Sequence, residues 1–343
     1  MAFRFESNES AAEGVRRVAR ERLTRILGEL AQKPVPDADN VHNARRDLKS
    51  LRALLRMIRG SMDPAKRRGE NIVFRDVGRM LSQSRDAQVS LDALRTSVKG
   101  GPRRSKIRNS APALHFVEKL ETALLKEIHS SLSPQVLEEI IRQLRSARRR
   151  VPYWLEASQG ATLSEWEPLI GVGLRQTYRN GRALVSQYDL VGRENFADES
   201  WHELRKNTKA LGYQLRLLRP VWPGPIEGVI DEIDRLGEYL GDDHDLTVVR
   251  LRMMDEPYSE MATQDAADAR HALIQSITRQ QNKLKFKAVS LARLVYVESP
   301  RRFEGRLATY WRLWHARSAK PLVRNTTHQP VHPASVHPAS AAF

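Results

Sequence analysis

The sequence predicts an all-α fold made by duplicating one helical unit. Three observations lead there: apolar residues recur at spacings of three and four along most of the chain, clear alternation of apolar and polar residues is hard to find, and two distant stretches match each other in the same order. A length of 343 residues exceeds what one typical core needs, which agrees with two copies.

The apolar period places helices at 9–32, 40–60, 66–97, 112–129, 134–150, 165–187, 199–219, 225–254, 261–279, 282–296 and 301–319. Breakers separate several of them: Pro34 with Pro36, Gly100 with Gly101 and Pro102, and Pro220 with Pro223, Gly224 and Pro225. The final VHPASVHPASAAF is a five-residue repeat of Pro, Ala and Ser that cannot build a core, so residues 321–343 are expected to be disordered. His332 and His337 are read as part of that solvated tail rather than as metal ligands.

The duplication is explicit in the residues. VHNARRDLKSLRALLRMIRG (41–60) aligns without a gap on WHELRKNTKALGYQLRLLRP (201–220), with His42/His202, Arg45/Arg205, Lys49/Lys209, Leu51/Leu211, Leu55/Leu215, Arg56/Arg216 and Arg59/Arg219 identical. Arg46 and Lys206 keep the charge. A second pair follows at nearly the same separation, FRDVGRMLSQSRDAQV (74–89) on IDRLGEYLGDDHDLTV (233–248), sharing Gly78/Gly237, Leu81/Leu240, Asp86/Asp245 and Val89/Val248. One domain over 7–320 is expected, with copies at 7–155 and 160–320 and a boundary near Tyr153 to Leu163.

Charge points to the partner. Lysine and arginine number 57 against 41 acids, a net +16 that implies a polyanion where it is concentrated. No cysteine occurs, which excludes disulfides and thiolate metal sites. The start MAFRFESNES lacks an apolar run after a basic segment, and no 18 consecutive apolar residues occur, so neither a signal peptide nor a membrane span is expected, and the cytoplasm is the expected location.

The excess is concentrated on two helices. At about 100° per residue, His42, Arg45, Arg46, Lys49, Arg52, Arg56 and Arg59 share one broad arc, while Ala44, Leu48, Leu51, Leu55 and Ile58 share the neighbouring one. His202, Arg205, Lys206, Lys209, Arg216 and Arg219 repeat the arc in the second copy, with Gly212 in place of an arginine and Tyr213 inserted. Charged helix faces are usually solvated surface held by acids at i+3 or i+4. The first stripe holds one acid, Asp47, expected to point away from the arc. Stacked cations repel unless an anion joins them, and the planar guanidinium fork matches phosphate oxygens, so a phosphate polyanion is the expected partner.

A His followed by Arg at i+3, Lys at i+7 and Arg at i+14, a next helix carrying Gly78 and Arg85-Asp86, and the repetition of both resemble the CHAD domain, a helical domain named for its histidines. The resemblance covers roughly residues 7–320. It implies antiparallel helical bundles related by pseudo-two-fold symmetry around a basic central groove or pore, and binding of inorganic polyphosphate, often at polyphosphate granules. Gly212, and His244-Asp245 where the first copy has Arg85-Asp86, depart from the pattern. Further bases expected to line the track are Arg16, Arg17 and Arg20 on the first helix and Arg175, Arg179 and Arg182 on its counterpart. Tyr178 is read equally as an anion donor or as a packed aromatic.

Three function classes meet this sequence. A polyphosphate binder without catalysis, cofactor or metal fits best; its site residues are His42, Arg45, Arg46, Lys49, Arg52, Arg56, His202, Arg205, Lys206, Lys209, Arg216, Arg17, Arg20, Arg179 and Arg182. A polyphosphate- or triphosphate-processing enzyme would need metal-holding carboxylates or a nucleophile beside the cations. Neither a G-x-x-x-x-G-K-[ST] loop nor an E-x-E-x-K string occurs. Sequence-specific nucleic-acid binding lacks a reading module, since aromatics are not interleaved with the basic stripes. Asp242, Asp243, His244 and Asp245 are read as helix-end charge and not as metal ligands, because consecutive helical residues point in different directions.

Overall fold

The computed structural model describes residues 3–31, 36–81, 91, 94–95, 117–119, 121–122, 133–155, 166–254 and 264–319. Among them every regular element is helical and no strand occurs. The longer helices are α1 (Ala11–Ala31), α2 (Ala38–Met57), α3 (Pro64–Met80), α4 (Pro134–Arg150), α5 (Val172–Asn195), α6 (Asp198–Leu218), α7 (Pro223–Arg252), α8 (Gln264–Val295) and α9 (Pro300–Ala319).

Starts follow local chemistry. Asp37 accepts from the Asn40 amide ahead of α2, Asp63 from the Lys66 amide ahead of α3, and Ser133 from the Val136 amide ahead of α4, each satisfying an amide that has no helical partner, worth about 1 kcal/mol apiece. Pro64 and Pro134 open their helices where no amide is needed.

Packing joins two groups. Helix α1 lies on α2 and α4, and α3 lies on the same two helices; α5 packs on α6 and α9, α6 on α7, and α7 on α8. Helix α2 bridges the groups by packing on both α5 and α6. Its apolar arc is fully enclosed, with Ala44, Leu48, Leu51, Leu55 and Ile58 all buried. Side-chain proximities give the relative direction: Arg46 lies near Tyr213, the Gln214 amide donates to the Ala53 carbonyl at 3.2 Å, and Arg56 lies near Glu203. From Arg46 with Tyr213 to Arg56 with Glu203 the numbers rise on α2 and fall on α6, so the two helices run antiparallel about a crossing near Ala53 and Gln214. Gln214 also donates to Thr177 on α5, tying three helices through buried polar atoms. Helix α5 comes so close to the end of α2 that a Cβ on Gly173 would stand 1.9 Å from the Met57 carbonyl oxygen, so only glycine fits.

Two elements differ from expectation. Residues expected as two helices, 261–279 and 282–296, form the single α8, because Gln281 is no breaker: its buried amide donates to the Asp243 carbonyl and to Thr247 on α7. Helix α5 runs past residue 187 until Gly192, whose φ of 72° turns the chain left-handed. The expected helix at 112–129, most of the second half of 66–97, Arg85-Asp86, the boundary beyond residue 155 and the tail at 321–343 fall largely or wholly outside the described residues.

Candidate functional site

A cavity of about 1120 Å³ opens between α1, α2, α6 and α7. It runs along α7 from Asp234 to Arg252, about 27 Å by helical rise, so it is a trough rather than a compact small-molecule pocket.

Four walls contribute. Helix α2 supplies His42, Arg45, Arg46 and Lys49, and α6 supplies Arg205, Lys209, Tyr213 and Arg216. Helix α1 adds Arg22 and Arg25, which the sequence reading missed; α7 adds Arg252 and His244. Nine Lys and Arg thus line the trough against five carboxylates, Asp47, Asp234, Glu238, Asp242 and Asp245, so cations dominate without being alone. Exposure sorts these groups by depth: Arg45, Arg205, Lys209 and Arg216 are half-buried, whereas His42, Arg46 and Lys49 on one rim and Glu238 and Asp242 on the other are exposed.

The acids are placed with purpose. Asp47 turns under α2, away from its basic arc, and is buried at 2 % exposure, where it accepts from Arg22 at 3.0 Å and from Arg25. Burial lowers the Arg22 pKa and Asp47 opposes that shift. Asp234 pairs with Arg216, whose guanidinium also lies over the Tyr213 ring. At one end Phe3 meets Tyr213 edge to face while Arg22 covers its ring, and the Phe5 amide donates to the Leu217 carbonyl, pinning the N-terminal segment beside the trough.

Other expected site residues stand elsewhere. Arg17 is taken by Glu9 and Glu21 and also donates to the Arg4 carbonyl; Arg20 is exposed on the side of α1 away from Arg22 and Arg25. Arg16 donates to the Leu155 carbonyl. Arg182 caps the end of α8 by donating to the Tyr296, Val297 and Glu298 carbonyls, and Arg179 bonds Gln176 on its own helix. Arg175 lies near Glu167 and Glu304. Arg52 and Arg56 share the α2 arc but sit too far along it; Arg52 donates to Asn71, and burial depresses the pKa of both. Lys206 pairs with Glu203. His202 stands one ring behind the lining, 5.3 Å from His244, with its pKa lowered first by burial and then by Lys206.

Three further sequence features resolve in structural terms. Tyr178 is a packed aromatic: it stacks on Phe303 at 4.0 Å, its hydroxyl donates to the Val295 carbonyl and accepts from the Glu298 amide, and burial pushes its pKa up to about 12. Gly212, which aligns with Arg52, faces α7, where an added Cβ would lie 3.1 Å from both Ile233 and the Arg216 guanidinium, a crowded position. The run Asp242 to Asp245 is not helix-end charge; it lies inside α7, with Asp243 buried and the other three residues on the trough. Among the described residues, no group of three His, Cys, Asp or Glu side chains is arranged to hold a metal ion, and no helix is long and apolar enough to cross a membrane.

Compared with known families, residues 17–253 match the CHAD domain, from within α1 to one residue past the end of α7. The chain belongs to the CHAD domain family. The fold agrees: the crystal structure of the CHAD domain from the plant Ricinus communis superposes with a TM-score of 0.58 at 16% identity, covering 86% of this chain and 94% of that one. No curated protein matches the sequence. CHAD domains are associated in general with binding polyphosphate or triphosphate.

Proposed function

We propose that this CHAD protein binds inorganic polyphosphate in the trough without turning it over. The observation that carries the reading is the convergence of α2 and α6: Arg45, Arg46 and Lys49 from one helix and Arg205, Lys209 and Arg216 from the other line one cavity. Their sequences match each other, and the antiparallel crossing is what a duplicated unit closing on itself about an approximate two-fold axis would produce. The ligand-contacting set is therefore read as these residues with His42, Arg25 and Arg252, and with Arg22 behind them on Asp47.

The chemistry suits the ligand. Polyphosphate is a flexible chain with closely spaced charges and no bases to read, so a continuous row of donors meets it in any register. Arginine forks supply paired, charge-assisted bonds to phosphate oxygens. In the cell, association with polyphosphate granules follows from the same affinity, and a fluorescent fusion that stays diffuse in granule-bearing cells would count against it.

Reversing Arg45→Glu with Arg205→Glu tests the site. Each charge-assisted bond lost costs about 1.5–3 kcal/mol, so the double variant should lose retention on a polyphosphate column while keeping its helix content. Retention equal to that of the parent would remove these residues from the site. Displacement of bound polyphosphate by duplex DNA or RNA at equal phosphate concentration would overturn the ligand assignment.

A further inference from the structure

The trough is asymmetric at its mouth. Its half-buried floor is cationic and one rim carries Arg46 and Lys49, yet the opposite rim, on α7, presents Glu238 and Asp242 one helical turn apart. Both carboxylates are exposed, and no Lys or Arg among the described residues lies within ion-pair range of either. A site built only for maximal attraction to an anion would not place two uncompensated negative charges there.

Resting on the polyphosphate reading, we infer that Glu238 and Asp242 are specificity-determining residues that admit a thin, flexible phosphate chain and repel duplex nucleic acid. A polyphosphate chain descends to the floor and lies along α2 and α6, below the exposed Glu238 and Asp242 of the α7 rim. A duplex keeps its direction over about 50 nm, far longer than the trough, so it cannot bend in and must rest on both rims. There its dense phosphate charge faces the two exposed carboxylates at contact range, inside the Debye length of about 8–10 Å, where salt does not fully screen like charges. Discrimination by repulsion of the wrong partner acts without adding any contact to the right one.

The test compares the parent protein with Glu238→Gln/Asp242→Asn and with a control, Glu138→Gln/Asp189→Asn, that changes net charge equally at positions outside the trough. Each is titrated with fluorescent long-chain polyphosphate and with a 30-base-pair DNA duplex at fixed ionic strength, after helix content is checked by circular dichroism. The rim variant should bind duplex about tenfold tighter than the parent while polyphosphate affinity moves less than about threefold, and the control should shift both ligands little and alike. An unchanged duplex affinity, or an equal gain in the control, overturns the inference. A parent that fails to bind polyphosphate sinks the functional reading instead, and that outcome is read in a separate arm.

Discussion

Asp47→Asn replaces a buried carboxylate by a neutral side chain of the same shape. Asp47 is 2 % exposed and holds Arg22, whose side chain is 9 % exposed, together with Arg25, at 36 %. Arg25 can turn to solvent when its partner is lost. Arg22 cannot, and a buried cation stripped of its partner costs about 3–5 kcal/mol, a large share of the 5–15 kcal/mol that hold a typical domain together. Urea unfolding followed by far-ultraviolet circular dichroism should show the midpoint falling accordingly. Adding Arg22→Met should recover most of the loss, because the uncompensated charge is then gone. Polyphosphate should raise the midpoint of Asp47→Asn more than that of the parent, since it supplies the missing anion to the part-exposed Arg25. A loss below about 1 kcal/mol for the single variant would mean that water reaches Arg22, and the account of the trough wall would fail.

Tyr178→Phe removes a hydroxyl with two backbone partners, so stability should drop by about 1–3 kcal/mol with polyphosphate affinity unchanged; a selective loss of affinity would return Tyr178 to the binding set. Burial raises the Asp243 carboxyl from 3.8 to about 6, so the folded protein holds this proton more tightly than the unfolded chain. Its contribution to stability therefore falls as pH rises from about 4 through 6, by roughly 2–3 kcal/mol, and urea midpoints at pH 4.5 and 7.5 should show that slope reduced in Asp243→Asn. Parallel pH profiles in the two proteins would refute it.

The sequence made α2 legible at both levels, because its apolar and basic arcs are adjacent and each follows the helical period without interruption. It made the α2 and α6 lining legible through the repeat. What it hid was partner choice across the fold. Arg17 and Arg20 had the same credentials as Arg22 and Arg25, but they project from another side of α1, and Glu9 reaches Arg17 only because the chain folds back before the helix. A signal did exist: Asp47 borders a buried arc, so it needed a cation from whichever helix covered it, and Arg22 and Arg25 flank the core residues Leu23 and Ile26 on α1. Depth along the axis was hidden too. Arg52 and Arg56 lie on the right arc, yet a turn or more beyond Lys49 they belong to different surroundings.

The pinned N-terminal segment bears on how the protein is handled. With Phe3 lining the trough and Phe5 fixed to Leu217, a purification tag placed ahead of Phe3 is tethered beside the opening. An acidic tag there would act as an internal competitor and a polyhistidine tag as an extra cationic arm, so affinities measured on such a fusion describe the tag as much as the protein.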